Sequence, residues 1–335
     1  MQIYRLSAAG SLNNLVKREE EVPVIGPHDV LVRIHAVSLN ARDLMMIFGP
    51  QPYGPKTDIV PTSDGAGEIV ACGSSVNDRV LGTRVVIPFR PGWIDGSFDP
   101  AHLATDLGGA VDGVLSQYVR CHARSVVELP TDVPYEDAAT LPCAGVTAWS
   151  ALMRGAPLRA DSTVLILGTG GVSIFALQIA KALGCKVIAT TSSESKALAL
   201  YDLGADHVIN YVTSPDWDVQ ARELTGGRGV DRVIEVGGAG SLPKSMAALG
   251  PEGEVSLIGL LDNPMNLVSP IPLMASMGVV RGISVGSRAD LVALLALMRD
   301  QFKPKVDKVF SFDEAHEALT YLASRKHVGK IVIRV

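Results

Sequence analysis

The feature that most constrains the fold is a glycine-rich turn between a short apolar strand and an amphipathic helix. Residues 164–167 form an apolar run, and Gly168-Thr169-Gly170-Gly171-Val172-Ser173 follows directly. In the next stretch the apolar residues recur at spacings of three and four: Val172, Phe175, Ala176, Ile179, Ala180 and Leu183. Gly184 then ends the predicted helix. A strand, a glycine turn and a helix in this order are the context of a dinucleotide-binding fingerprint.

Each small residue of the turn has a physical role in such a site. Gly168 permits the tight turn, and Gly170 lets the backbone approach a pyrophosphate. The free N–H groups of Gly171 and Val172 open the helix at its positive end, where an anion is stabilised. Ser173 stands at the third glycine position and is small enough for close helix-to-strand packing. The alternative is a glycine-rich turn that binds another ligand, and the flanking periodicity favours the dinucleotide.

The residues after the second strand bear on the choice between NAD and NADP. An acidic residue about 20 residues beyond the first glycine would bind the ribose hydroxyls of NAD and repel a 2'-phosphate. Thr191 stands there instead, followed by Ser192, Ser193 and Lys196, which can bind a dianion. Glu194 is the counter-argument, but we expect it to point to solvent from the next helix. The pattern favours NADP(H).

The chain is long enough for two domains, and its rhythm changes along its length. Its 335 residues exceed the usual size of one core. The first third reads as short strands typical of an antiparallel barrel, whereas from about residue 161 strands alternate with helices, as in a doubly wound parallel sheet. We expect the tail to return to the barrel. The prediction is an α/β protein with a barrel domain at 1–130 and 286–335 and a Rossmann domain at 131–285.

Composition excludes several function classes. The net charge of −5 and the absence of a basic block argue against nucleic acid as a partner. No signal-like start and no membrane-length apolar run is present, so we expect a cytoplasmic protein that binds a small-molecule substrate and no membrane. The four cysteines lack the close spacing of a zinc ribbon or a disulfide framework.

Five further segments carry a family resemblance. They are VSLNARD at 37–43, TSDGAGE at 62–68, DGVLSQY at 112–118, AATLPCAGVTAW at 138–149 and GKIV at 329–332. Together with the glycine turn, they make the chain resemble the medium-chain dehydrogenase/reductase superfamily, and within it the zinc-free branch that includes the quinone oxidoreductases. The resemblance implies a GroES-like barrel as the catalytic domain beside the Rossmann domain.

The resemblance also implies that zinc is missing. The zinc-dependent members hold the catalytic ion at the positions of Asn40, of the Ser63-Asp64 pair and of Cys143. Of these only Cys143 is a good ligand, and a catalytic zinc needs three. The structural zinc lobe would fall between Phe89 and Gly113, which contains no cysteine. We therefore expect neither metal site, with Cys143 a core residue.

The resemblance assigns further roles to individual residues. Ser192, Ser193, Lys196 and Tyr211 match the surroundings of the 2'-phosphate and adenine. The nicotinamide shell corresponds to Thr147, Gly259, Leu260, Val285, Gly286 and Ser287. Lys330 matches a basic residue near the cofactor phosphates. Asn40 would contact the cofactor or a developing enolate, with Asp43 ordering the site or relaying a proton. Arg42 replaces the family's relay hydroxyl, which leaves the proton route open.

Three functions remain open on the sequence. Without zinc to polarise a simple ketone, conjugated acceptors are favoured, so the first is an NADP(H)-dependent reductase of quinones or α,β-unsaturated carbonyls. The others are a zinc-free alcohol or carbonyl dehydrogenase and a cofactor-binding protein with little catalysis.

We also expect a homodimer through the Rossmann domains, formed by the strand at 279–285 and the apolar residues before it, with the active site between barrel and Rossmann domain. The alternative is that residues 267–278 pack on their own domain.

Overall fold

The computed structural model describes residues 1–49, 57–259 and 268–335. The strands in chain order are β1 (Gln2–Leu6), β2 (Leu15–Glu19), β3 (Asp29–Ser38), β4 (Asp64–Cys72), β5 (Arg84–Ile87), β6 (Tyr118–His122), β7 (Val127–Glu128), β8 (Thr163–Leu167), β9 (Lys186–Thr191), β10 (His207–Asn210), β11 (Val230–Glu235), β12 (Leu249–Leu257), β13 (Val279–Gly282), β14 (Val306–Ser311) and β15 (Lys330–Arg334). The α-helices are α1 (Ala41–Phe48), α2 (Tyr135–Ala139), α3 (Val146–Met153), α4 (Gly171–Ala182), α5 (Glu194–Asp202), α6 (Trp217–Leu224), α7 (Leu242–Ala247), α8 (Ile271–Ser276), α9 (Arg288–Gln301) and α10 (Ala315–Ala323).

The chain divides into two compact units. The first comprises Met1–Val146, Gly286–Arg299 and Lys303–Val335, and the second comprises Thr147–Val285 with Asp300–Phe302. This differs from the predicted boundary, because residues 131–146 lie in the first unit. There α2 packs on β3, β4 and β5, and the Arg84 guanidinium lies 4.2 Å from the centre of the Tyr135 ring.

The first unit is built around the long strand β3. Its sheet has the order β14-β15-β3-β4-β5-β7, with β6 paired to the first half of β3. The pairing of β15 with β3 confirms that the C-terminal tail completes this sheet. The pairing of β14 with β15 is parallel, against the expected antiparallel barrel. The connection contains α10, and a crossover of this length is what parallel neighbours require.

The register of this sheet brings three chain segments together. Ser38 at the end of β3 pairs with Asp64 at the start of β4 and, on its other side, with Val332 in β15. Asn40, two residues beyond Ser38, and Lys330, two residues before Val332, therefore lie at the same end of the sheet as Asp64. Residues from three distant parts of the chain meet at this point.

The second unit contains a parallel sheet with the order β10-β9-β8-β11-β12-β13. This is the doubly wound arrangement in which ligands bind at the carboxyl ends of the strands. Its core consists of strand and helix residues such as Leu165, Ile188 and Val233. The predicted cofactor residues follow the carboxyl ends of successive strands: Gly168 after β8, Thr191 ending β9, Tyr211 after β10, Gly259 after β12 and Val285 after β13.

None of the helices in the described ranges combines the length and the apolar character needed to cross a bilayer.

Candidate active site

The glycine turn after β8 has the geometry of a phosphate cradle. Gly168 adopts φ +72°, and its N–H donates to Thr190 O at 3.0 Å. Gly170 is the N-cap of α4, and a Cβ atom at either glycine would meet no heavy atom within 4 Å. The Ser173 hydroxyl donates to Leu167 O at 2.7 Å, so the small third position holds strand and helix together. The open space above the first turn of α4, with its free N–H groups, fits a dinucleotide pyrophosphate.

The end of β9 carries hydroxyl groups in place of an acid. Thr191 is 1% exposed, and its carbonyl accepts from Tyr211 N at 2.9 Å, which places Tyr211 beside it. The Ser193 hydroxyl accepts from Lys196 N at 3.3 Å and caps α5. Ser192 is exposed. The residues predicted to surround the 2'-phosphate are thus neighbours at one corner of the sheet.

Glu194 lies in the first turn of α5 and is exposed, in line with its prediction. Its Oε1 also accepts from Asn210 Nδ2 at 3.0 Å. Asn210 ends β10, and its Oδ1 also accepts from Val212 N at 3.1 Å. The carboxylate is therefore held towards β10, where part of its acceptor capacity is used.

The residues predicted for the nicotinamide divide between the two units. Thr147, at the start of α3, is buried in the second unit. A Cβ at Gly259 would lie 1.7 Å from Val236 O, so this position requires glycine. Val285 adopts φ +57°, which is rare for a β-branched residue and is typical of functional sites. Gly286 and Ser287 belong to the first unit, where Ser287 N and Oγ donate to Asp290 Oδ2. Leu260 lies outside the described residues.

Glu235 at the end of β11 was missed by the sequence reasoning. Its carboxylate is fully buried and accepts from Gly237 N at 2.7 Å, Gly238 N at 3.0 Å and the Ser241 hydroxyl at 2.7 Å. The Ser245 hydroxyl donates to its other oxygen. These bonds shape the loop that follows β11 at the carboxyl edge of the sheet. The Glu-Val-Gly-Gly sequence at the end of a predicted strand could have indicated this buried carboxylate and its loop.

A buried ammonium group occupies the first unit at the end of β3. Lys330 is 3% exposed, and its Nζ donates to Leu39 O and Asn40 Oδ1, each at 2.5 Å. Asp43 accepts from Asn40 N at 2.7 Å and thereby fixes the start of α1. The prediction that Lys330 serves the cofactor phosphates is at odds with these contacts, because they direct its ammonium group to Asn40.

Asp64 is the anionic centre of the same cluster. It accepts from the Ser63 hydroxyl at 2.7 Å and from Cys143 N at 3.1 Å. Burial raises the pKa of the Asp64 carboxyl, and the charge of Lys330 and the hydrogen bonds to the carboxylate oppose this rise. Burial in turn lowers the pKa of Lys330, opposed chiefly by Asp64. The two side chains therefore stabilise each other's charged forms.

The donor set at these positions does not fit a zinc ion. Asn40 Oδ1 accepts from an ammonium group and Ser63 offers only a hydroxyl. The Cys143 side chain keeps some surface exposure, burial raises the pKa of its thiol, and it is the one sulfur ligand at these positions. Zinc binds thiolates, neutral imidazoles and carboxylates. In the described ranges no group of three such side chains could hold a metal.

Thr62, directly before this cluster, has a strained backbone. It is fully buried and adopts φ +68°, where a β-branched residue is an outlier. A Cβ at Gly113 would lie 1.8 Å from Thr62 O, so the segment around Gly113 is pressed against it. Such strain persists only where the surroundings impose it. Here it orients Ser63 and Asp64, and no sequence signal revealed it.

Comparisons with known proteins agree with this geometry. Residues 26–131 match the model of an alcohol dehydrogenase GroES-like domain, and residues 171–300 match that of a zinc-binding dehydrogenase. A zinc-type alcohol dehydrogenase-like protein of Schizosaccharomyces pombe is 41% identical over 335 residues, covering 96% of each chain. Among solved structures, an NAD-dependent alcohol dehydrogenase has a TM-score of 0.89 at 30% identity. A mycobacterial protein complexed with NADPH has a TM-score of 0.83 at 26% identity. Each of these two structures and this chain cover each other completely.

The doubly wound sheet with its glycine cradle and the barrel unit define a dehydrogenase that uses a nicotinamide cofactor. The chain belongs to the medium-chain dehydrogenase/reductase superfamily and is an oxidoreductase of that type.

Proposed function

We propose that this protein is a zinc-independent reductase that transfers hydride from NADPH to quinones or α,β-unsaturated carbonyls. The observation that carries the proposal is the cluster of Lys330, Asn40, Ser63 and Asp64, whose polar groups are engaged with one another at the positions where zinc-dependent relatives bind metal. The bound nicotinamide would supply the hydride. A quinone or enone needs hydrogen-bond donors for its developing oxyanion, which this site has, and no Lewis acid.

The direct test is an assay with an enone, a quinone and a secondary alcohol, each with and without a metal chelator. We expect the purified protein to contain no stoichiometric zinc and to oxidise NADPH with an enone or a quinone at a rate that a chelator leaves unchanged. One zinc per chain, with activity lost to the chelator, would contradict the proposal. The alcohol dehydrogenase part of a relative's name supports a second candidate activity, alcohol oxidation, here at a site without zinc ligands. Oxidation of a secondary alcohol would favour it. Tight cofactor binding with no turnover of any acceptor would indicate a cofactor-binding protein.

The cofactor proposal rests on the corner formed by Thr191, Ser193, Lys196 and Tyr211. No carboxylate stands at the position of Thr191, and Glu194 is bound to Asn210, so a 2'-phosphate meets hydroxyl groups and an ammonium group. The NADPH complex of the mycobacterial structure supports this choice. Because a similar structure is that of an NAD-dependent enzyme, the preference for NADPH over NADH has to be measured directly.

Lys196→Ala is expected to weaken NADPH binding and leave NADH binding unchanged. Loss of a charged hydrogen-bond partner costs about 1.5–3 kcal/mol, which corresponds to about a 10- to 150-fold higher Kd. Fluorescence titration of both cofactors measures the effect. Lys181→Ala is the matched control, because Lys181 pairs with Asp206 and lies outside this corner. Equal affinities of the parent protein for the two cofactors, or an equal loss of both, would contradict the proposal.

We also propose that two copies associate through the second unit. β13 is an edge strand of its sheet, and Ile271, Met274 and Met277 just before it are 70%, 73% and 72% exposed. Val268 and Leu273 pack on the core of their own unit, but the high exposure of Ile271, Met274 and Met277 disfavours packing of the whole segment on its own domain. An exposed edge beside an apolar patch is a typical surface for a two-fold contact.

Light scattering at micromolar concentration is expected to give the mass of a dimer, and Ile271→Lys with Met274→Lys is expected to give a monomer. Two buried ammonium groups at a two-fold interface would be desolvated and would repel their symmetry mates. Leu198→Lys, on the exposed face of α5, is the control that should stay dimeric. A monomeric parent protein would refute the association.

A further inference from the structure

Several buried polar atoms of the first unit have no hydrogen-bond partner within the described part of the chain, and four of them belong to neighbouring residues of the candidate site. They are Asn40 Nδ2, Arg42 Nη2, Asp43 Oδ1 and Thr62 Oγ1. Asn40 Nδ2 lies near enough to Asp64 to favour its ionised form, yet it lacks a well-aligned hydrogen bond. Native proteins leave few buried polar groups unsatisfied. A concentration of them at one place indicates that a ligand supplies the missing partners.

Arg42 is the strongest of these groups because its charge is permanent and its orientation is restrained. Its Nη1 donates to Leu107 O at 2.9 Å, and the guanidinium carbon lies 4.8 Å from the centre of the Phe89 ring. Asp43 Oδ1 is 3.7 Å from Nη1, too far for a hydrogen bond. Only 16% of the Arg42 side chain is exposed. The N–H groups of Nη2 therefore need a hydrogen-bond acceptor, because a guanidinium group offers only donors.

We propose that Arg42 is a catalytic residue whose Nη2, together with Asn40 Nδ2, donates hydrogen bonds to the carbonyl oxygen of a conjugated acceptor. This inference rests on the proposed reductase function and names the group that stabilises the negative charge. In such a reduction a hydride bonds to the β-carbon of the acceptor. The electron pair of the C=C bond then forms the new double bond to the carbonyl carbon, and the C=O π pair becomes the lone pair of an enolate oxygen. A proton from water at the α-carbon completes the reduced product.

The surroundings favour a carbonyl substrate over one that carries a carboxylate. Asp43 and Asp64 are buried beside Arg42 and Asn40, and a third carboxylate would be repelled by them in the resting complex. An oxygen that becomes negative only during the reaction meets donors that are already in place, and such prearranged donors act most strongly on the transition state.

Para-nitrophenol is a suitable probe, because its phenolate resembles an enolate oxygen and absorbs differently from the neutral phenol. We expect the bound phenol to ionise at lower pH in the parent protein than in Arg42→Gln, measured with and without oxidised cofactor. On an enone we expect Arg42→Gln to lower kcat about 100-fold or more while KM changes little, as for the loss of an oxyanion donor. Arg42→Lys keeps the charge but loses the forked donors, and it should fall between the two.

Arg120→Gln is the control for the loss of one positive charge, since Arg120 is 58% exposed and pairs loosely with Asp29. It should leave the phenol titration and kcat unchanged. Identical phenol ionisation in the parent protein, Arg42→Gln and Arg42→Lys would overturn the oxyanion role, as would an effect of Arg42→Gln on KM alone. An Arg42-dependent phenol shift in a protein that reduces no enone would retain the oxyanion site and refute the proposed function.

Discussion

Gly170→Val is expected to abolish measurable cofactor binding while the protein stays folded. Gly170 has an ordinary φ of −71°, and a Cβ there meets no neighbour within 4 Å, so the fold tolerates a side chain. The two methyl groups of valine fill the space through which a pyrophosphate reaches the N–H groups of α4. Steric overlap of this kind costs about 3 kcal/mol or more, which is at least about a hundredfold in Kd.

Isothermal titration with NADPH and thermal unfolding measure the two parts of this prediction. Gly282→Val is the matched control, because a Cβ at Gly282 also meets no neighbour within 4 Å and Gly282 lies in β13, away from the cradle. It should retain the parental Kd. Unchanged NADPH affinity in Gly170→Val would show that the cofactor binds elsewhere.

Lys330→Met is expected to lower the free energy of unfolding by about 3–5 kcal/mol, as for the removal of one of two opposite buried charges that stabilise each other. The variant leaves Asp64 fully buried without its cationic partner, and Asn40 Oδ1 and Leu39 O without their donor. Chemical denaturation at neutral pH measures the loss. Lys181→Met, which breaks the partly exposed pair with Asp206, should cost less than about 1 kcal/mol.

The loss should depend on pH in a defined direction. The folded-state pKa of Asp64 is already raised above the ordinary aspartate value of 3.8, and removal of Lys330 raises it further. A raised carboxyl pKa favours the fold below the unfolded value and disfavours it as pH rises through the folded value. Lys330→Met should therefore be least destabilising near pH 4. Adding Asp64→Asn should restore part of the stability at neutral pH, and a pH-independent loss would exclude Asp64 as the partner.

The cofactor unit follows the sequence closely because its signals are local. The strand at 164–167, the turn from Gly168 to Ser173 and the helix after it are adjacent in the chain, and their spacing alone specifies the phosphate cradle. The alternation of strands and helices likewise specifies the parallel sheet. The end of the last strand of this sheet was predicted less well. β13 ends at Gly282, before the predicted residue 285, because the positive φ of Val285 cannot continue a strand.

The domain boundary and the contact of the Glu194 carboxylate were harder to predict from the sequence. Residues 131–146 are assigned to the first unit by the packing of α2 against distant strands. The side chain of Glu194 is directed by Asn210, sixteen positions away. In both cases several local interpretations are physically acceptable, and the choice depends on a contact with a partner that spacing does not reveal.

By itself the sequence determined the class of the protein: a nucleotide-binding turn on a doubly wound sheet, a second barrel-like unit, and too few ligand residues at the family's metal positions. Only the tertiary structure decided what those residues do instead. Lys330 reaches Asn40 across 290 positions of the chain, and Asp64 joins them through the register of β3, β4 and β15. Arg42 keeps a donor atom that finds no partner among the described residues. A residue's charge and hydrogen-bonding capacity are local properties, whereas its partner and its burial are set by strand register and packing between segments far apart in sequence.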